Sequence, residues 1–470
     1  MTIAIQLLFM SVLAVFIYSG IRDRKKVTDE HSFFYGENLS WLSFALNAFG
    51  TNFSFISASF VLVFWSYQYG LSAMLWTVGT GILGILLFSI RWTGPLTRGD
   101  LFSENVKTLH HMIGGEDVAL RRIAGCVTAL TLFGFLIGES YIFAQFFSQY
   151  IHWHPGWIIA IVFLVAIVNS WLSGYNAAVK SDYFQVALIG SGCLLLFARL
   201  FYAGRQNVLA AATTETFTPL PPFFVPMLIL INGLSQFSAM DMWQRAKATA
   251  QANEVEKGGV AGSLLFAIVT LALIGCGILL RQEDNKMGNV EADPFVLLNR
   301  IAGQSGSPAY TVSVLLFFLS AYLTTMDSIF IALSTTWTMD VLRVSKNLGK
   351  VKIHTATVGL VTALVTIGLC AFQFGGQVVN ALVVLCSISI ILVPTILFKT
   401  WLHRLRIKAV VYKTSIVFGF LVGVLAIVWM ILAKNSEMAN YLPILCFFAS
   451  WFVILVLSPK NMQNVAGSKN

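Results

Sequence analysis

Apolar runs of membrane-crossing length dominate the chain. They fall near residues 3–21, 40–66, 72–92, 122–148, 157–173, 178–203, 223–243, 259–280, 309–338, 354–372, 377–398, 411–433 and 439–458. About 20 apolar residues cross the hydrocarbon core as a helix, and lipid forces each segment to satisfy its backbone groups internally. The pattern predicts an all-α integral membrane protein of about thirteen transmembrane helices. Three of these runs are not uniformly apolar. In span nine, Ala321, Thr324, Thr325 and Ser328 stand at i, i+3, i+4 and i+7, so they share one helical face, with Asp327 beside them. Hydroxyls and a carboxylate in hydrocarbon cost free energy unless paired, which marks this face as functional. The competing reading is that each hydroxyl bonds back to a carbonyl one turn earlier or joins neighbouring helices.

The other two interrupted runs are spans two and seven. Span two carries Ser43, Asn47, Gly50, Ser54 and Ser57 along one face, and Gly50-Thr51-Asn52 is where its helix is expected to unwind. In span seven the apolar run Val225 to Ile231 gives way to Asn232, Gly233, Ser235, Gln236, Ser238 and Asp241. Broken backbone at membrane depth is tolerated only where it lines a cavity or is buried in protein. A single break is equally a structural kink. Two breaks five spans apart point instead to an inverted repeat with a shared midplane site. The predicted units are an extra first helix and loop over 1–39, a first repeat over 40–204, a second over 222–402 and two extra C-terminal helices over 409–460.

Composition agrees with the pattern: 57% of the residues are hydrophobic and 11% charged, with a mean hydropathy of +0.78. Charge placement adds orientation. Arg22, Arg24, Lys25 and Lys26 follow span one directly, and counting loops alternately from there puts twenty-four of the thirty Lys and Arg residues on one side. By the positive-inside rule the N-terminus lies outside and the C-terminus in the cytoplasm, in a cell (plasma or inner) membrane. The net charge of +9 is then a lipid-facing rim and not a nucleic-acid patch. The first span lacks a basic lead and a small-residue cleavage site, so it is expected to remain. The six cysteines lie in apolar runs without metal or disulfide spacing and read as small core residues. The seven histidines lie in loops or at span ends with no nucleophile or acid/base partner, which argues against an enzyme and against a resident cofactor.

Four stretches resemble the sodium/solute symporter family, the group of sodium-coupled sugar, proline and sialic-acid carriers. Ala321, Thr324, Thr325 and Ser328 are similar to its A-x-x-[ST]-[ST]-x-x-S segment, continuing into Thr338-Met339-Asp340. Residues 173–185, SGYNAAVKSDYFQ, resemble G-G-x-x-A-V-x-x-T-D-x-x-Q, and QRAKATA at 244–250 resembles Q-R-x-x-A-A-K. The loop from Thr97 through the LHHMIGG segment to Ile123 resembles the connection after the family's third span. The resemblance implies a five-plus-five inverted-repeat core of the LeuT type, with one added helix before it and two after it. It implies a principal sodium site of carbonyls at Gly50, Phe53 and Ala321 with the hydroxyls of Thr324 and Thr325; oxygen ligands suit this hard cation. It implies a second sodium site at Asp182, Thr324, Asp327 and Ser328, although Asp182 could equally pair with Lys180 or Arg245 as an inner latch. Sodium is the only metal expected, as a coupling ion.

The function implied is a sodium-coupled symporter of a small polar organic solute, working as a monomer or weak oligomer in lipid. Candidate solute contacts are Asn52, Ser54, Ser57, Glu139, Gln236 and Asp241. The glucose-type pattern is not reproduced, since Ser57, Asp241 and Phe266 stand where sugar carriers place their polar partners. Two carboxylates, Glu139 and Asp241, with Trp65, Trp76, Trp171 and Trp243 suggest an amine-bearing substrate by cation–π logic. Against this, Glu139 could pair with Gln145 or Arg199, and the tryptophans could be interfacial anchors. Proton coupling on the same fold and a non-transporting solute sensor are the alternatives.

Overall fold

A computed structural model describes residues 2–36, 39–56, 61–90, 108–204, 217–249, 251–287, 293–303, 307–344, 347–370, 384, 387–401, 407–433 and 438–461. The first half of the chain forms α1 (Thr2–Asp23), α2 (Glu30–Tyr35), α3 (Trp41–Asn52), α4 (Leu62–Ser89), α5 (Leu109–Gly114), α6 (Val118–Ile151), α7 (Pro155–Ser173) and α8 (Tyr175–Gly204). The second half forms α9 (Phe224–Leu228), α10 (Met240–Ala248), α11 (Ala252–Met287), α12 (Pro294–Gly303), α13 (Pro308–Thr335), α14 (Leu348–Leu369), α15 (Val393–Trp401), α16 (Ala409–Leu432) and α17 (Met438–Asn461). Among the described residues no strand forms; an isolated parallel bridge ties Leu39, ahead of α3, to Thr249, after α10.

Helix starts follow local chemistry. The side chain of Ser40 accepts the Ser43 N–H at the head of α3, Asp117 accepts the Leu120 N–H at the head of α6, and Asn347 does the same for Lys350 at α14. Asp117 also takes a 2.8 Å bond from Lys413 of α16. That bond and the helix N–H hold its carboxyl below the usual carboxylate range.

Ten described helices are long and apolar enough to cross a membrane, and the chain is an integral membrane protein. An eleventh candidate is α4, which bends by 93° between Leu62–Ala73 and Leu75–Ser89. Gly70 in this stretch has φ +69°, which a side chain would strain, and the Phe217 ring fills the space a Cβ would need. The segment before the bend completes predicted span two and the segment after it is span three. The count of thirteen is not reached among the described residues: α3 alone is too short, and of span 377–398 only residue 384 and those from 387 on are described.

The core is organised around α13, whose most apolar 18-residue window is 94% buried. Around it stand α3, α6, α8 and α10; α11 lies across α3 and α4, while α1 and α14 pack on α7. Outermost, α16 and α17 pair through Ser415 Oγ donating to the Ser450 carbonyl at 2.8 Å. A helix so buried can carry hydroxyls where they find protein partners, as Tyr322 does at Ser140 and Thr324 at Asp182, although Ser320 and Ser334 are buried without one. The six predicted core cysteines divide: Cys193, Cys276 and Cys446 are buried, Cys370 is half-buried, Cys126 faces outward and Cys386 lies outside the described residues.

Candidate functional site

Both predicted breaks exist. Helix α3 runs through Gly50-Thr51-Asn52 and ends one residue later than expected, at Phe53, whose φ −111° and ψ 76° leave the helix. Asn52 stays helical because its side-chain amide donates to the Ala48 carbonyl at 2.9 Å. In span seven, α9 widens into π turns over Ile229–Gly233 and tightens into a 3-10 turn over Leu234–Phe237. Ala239 is then extended before α10 begins. Gly and short polar residues interrupt the apolar run there, as breaks require.

The first break lies against α13 at its tightest approach. A Cβ at Gly50 would overlap the Thr324 hydroxyl, so only glycine lets the two backbones come this close. The Thr325 hydroxyl reaches the Ala321 carbonyl at 3.2 Å and the Gly50 carbonyl at 3.5 Å. Gly50 O also accepts the Phe53 N–H at 3.3 Å. Gly50, Ala321 and Thr325 thus converge on one point with oxygen atoms alone, a donor set that fits a hard monovalent cation. The Thr324 hydroxyl lies against Gly50 as well, and it donates to Asp182 Oδ1 at 2.6 Å, a contact within the second expected set. Phe53 enters through its N–H, and its ring packs edge-on against Phe317.

Two members of the second predicted set, Asp182 and Ser328, meet Arg245, the residue named above as a latch partner of Asp182. Arg245 is 1% exposed and lies in the core. Its Nη2 donates to Ser328 Oγ at 2.6 Å and stands 3.8 Å from Asp182 Oδ2, while Nη1 is 3.3 Å from Asp241 Oδ2. Ser328 donates in turn to the Thr324 carbonyl at 2.8 Å. Asp327 accepts the Ser181 hydroxyl at 3.1 Å. Of the two partners considered for Asp182, Arg245 is present and Lys180 is not, since Lys180 bonds Asp23 of α1 at 2.6 Å.

The solute candidates divide. Gln236 Nε2 donates to Asn52 Oδ1 at 2.6 Å, joining the two breaks directly. Glu139 Oε2 accepts the Ile56 N–H at 2.9 Å, and its carboxyl also meets Ser54 and the Phe55 N–H, so it caps the backbone where span two resumes. Neither Gln145 nor Arg199 is its partner; Arg199 lies over the Tyr310 ring. Asp241 belongs to the Arg245 pair. Ser57 lies outside the described residues. Trp76 and Trp171 are exposed to the surroundings, Trp65 packs on Phe224, and Trp243 donates to the Phe237 carbonyl, so the four tryptophans form no common cage. Three polar atoms near the breaks are buried with no hydrogen-bond partner: Thr51 Oγ1, Gln236 Oε1 and Glu139 Oε1.

Sequence reading missed a further cluster at the far end of span nine. Asp340, fully buried, accepts Thr108 Oγ1 at 2.8 Å and Arg121 Nη2 at 3.1 Å, and pairs with His110 Nδ1 at 2.8 Å; His110 Nε2 meets Thr128 Oγ1 at 2.9 Å. His110 is thus a buried partner and not a loop histidine. More than 200 residues separate it from Asp340, and no local pattern joins them.

No family model and no curated protein match the chain, but solved structures do. A Na+-coupled sialic acid symporter in a substrate-bound, outward-open state superposes with a TM-score of 0.78 over 99% of this chain and 98% of that one, at 14% identity. The chain has the LeuT-type fold. Two further neighbours carry the same LeuT-type arrangement. One is a nucleobase-cation-symport-1 family transporter closed around bromovinylhydantoin, with a TM-score of 0.60 and 13% identity over 91% and 95% of the chains. The other is MhsT in complex with L-phenylalanine, with a TM-score of 0.57 and 14% identity over 89% and 99%. At these identities the likeness establishes the LeuT-type fold, which is the architecture the paired breaks and the four motifs implied.

Proposed function

We propose that the protein is a sodium-coupled secondary transporter that carries a small polar organic solute across a cell membrane by alternating access. The carrying observation is the convergence of Gly50 O, Ala321 O and Thr325 Oγ1 between a broken helix and an unbroken one. An ion held there bridges α3 to α13, so binding and the shape of the break are linked: sodium raises solute affinity, and solute raises sodium affinity by the same factor. The two repeats would be residues 40–204 and 222–402, rocking about the site with the N-terminus outside. A potential of 100 mV would add about 2.3 kcal/mol per charge moved inward.

The solute reading rests on the breaks. Thr51 and Gln236 offer one hydroxyl and one carbonyl-type acceptor, which suits a solute rich in N–H or O–H groups. The amine reading has lost support, because Asp241 is paired to Arg245 and Glu139 is committed to backbone. Sodium coupling fits the neighbour named as a Na+-coupled symporter.

The test is purified protein in proteoliposomes and a thermal-stability screen of neutral sugars, amines and carboxylates with and without sodium. A true solute should stabilise by about 2.7 kcal/mol at a hundred times its Kd in sodium, and by less at the same concentration without sodium. Replacing Thr324 and Thr325 by Ala should abolish sodium-stimulated uptake. If that variant folds and keeps its sodium dependence, the site assignment is wrong; uptake driven by a proton gradient alone would replace sodium with protons.

A further inference from the structure

The two broken helices meet at a second place, away from the contacts of Gly50 and Gln236. Past the first break, α4 carries Trp65 and Ala73; ahead of the second, α9 carries Phe224, Met227 and Leu228. These five and Ala439, in the first turn of α17, are buried together in an apolar cluster separate from the main core. The Trp65 and Phe224 rings meet edge-on at 4.9 Å, and Tyr69 lies 5.7 Å from the same Phe224 ring. Just before α9, the Thr218 N–H donates to the Gln68 carbonyl at 3.0 Å and strengthens the join to α4. Phe223, which caps α9, sits in the left-handed region at φ 61° and ψ 8°. A bulky residue is strained there and stays only where its surroundings over-determine it. Its ring lies 4.9 Å from that of Tyr441, also in the first turn of α17.

Helix α17 is itself anchored. Ser415 of α16 and Ser450 of α17 exchange hydroxyl-to-carbonyl bonds at 2.8 and 3.3 Å, and Lys413 of α16 stands 2.8 Å from Asp117 at the head of α6. Further along α17, Trp451 meets Phe398 of α15 at 5.0 Å. Trp401 of α15 then packs edge-on at 5.9 Å against Phe237, where the 3-10 turn of the second break ends. The irregular turns of span seven are therefore held on both sides, α9 by α17 and Phe237 by α15.

We infer that Ala439 and Tyr441 of α17 are positioning residues that clamp α9 and the Leu62–Ala73 part of α4 into one unit, and that opening the second break on this side requires α9 to leave Tyr441. An aromatic pair suits such a clamp, since it has a definite geometry and separates without leaving a buried polar group unpaired. The consequence for transport rests on the alternating-access reading above: the added C-terminal helices would set how readily the two broken helices open together. The clamp itself needs neither ion nor solute to be measured, so it stands or falls apart from that reading.

The experiment is hydrogen exchange read by mass spectrometry on the full-length protein in nanodiscs, without solute, since exchange reports local opening. Tyr441→Ala should speed exchange over residues 224–237 by about threefold to tenfold, the worth of an aromatic pair, and leave residues 442–461 at the wild-type rate. Tyr441→Phe, which keeps the ring, should match wild type. Phe223→Ala removes the same contact from the other side and should act like Tyr441→Ala, with the double variant no faster than either single one. If Tyr441→Ala does not fold, Phe223→Ala carries the test, because it leaves α17 untouched. Unchanged exchange over 224–237 in a folded variant would overturn the inference. So would an equal rise along 442–461, which would make Tyr441 a support of α17 alone, or additive effects in the double variant.

Discussion

At Gly50 a single missing methyl group sets the distance between two helices. A Cβ there would occupy the position of the Thr324 hydroxyl, which is itself held by Asp182. Gly50→Ala must push α3 away from α13, so it should cost about 1–3 kcal/mol through overpacking. It should also weaken sodium affinity, because the Gly50 carbonyl moves with its backbone. Thermal unfolding and the sodium concentration for half-maximal uptake measure the two effects; an unchanged sodium affinity would remove Gly50 from the site. The residues that fold onto one helix face were readable in advance, since Ala321, Thr324, Thr325 and Ser328 are set by spacing alone. Arg245 was not. A charge four residues past Asp241, at the polar end of span seven, reads as the start of a loop. Only the fold brings Asp182, 63 positions away, and Ser328, 83 positions away, around it.

Among the elements, the first break shows how a carboxylate in hydrocarbon can be structural. Where span two resumes, freed N–H groups need acceptors, and Glu139 of α6 provides them at the positive end of the new helix. Glu139→Ala should therefore cost about 1–3 kcal/mol, the penalty for leaving a buried N–H unpaired. Glu139→Gln, which keeps an acceptor of the same shape, should restore most of it, as read by melting temperature. A direct ionic contact with an amine solute predicts the opposite order of consequence: Gln would fold normally and lose transport. The existence of both breaks was legible because Gly and amide residues stand out in an apolar run. Their partners were not, since Glu139 could be seen only as an unexplained acid in span four.

Across the whole molecule, polar clusters tie distant helices together at a few points. At the far end of α13, Asp340 binds α5 and α6 at once through Thr108, His110 and Arg121. Removing one partner from so buried a pair leaves uncompensated charge, so Asp340→Ala should lose about 3–5 kcal/mol. The melting temperature in detergent would then fall, and proteolysis within residues 108–122 would rise; an unaltered digestion pattern would show that α5 is held by packing alone. The bond between the two breaks, from Gln236 to Asn52, is of another kind. Neither amide can gain or lose a proton near neutrality, and neither carries a charge that salt can screen. The contact between the two discontinuous segments is therefore set by geometry alone, indifferent to acidity and salinity near neutrality.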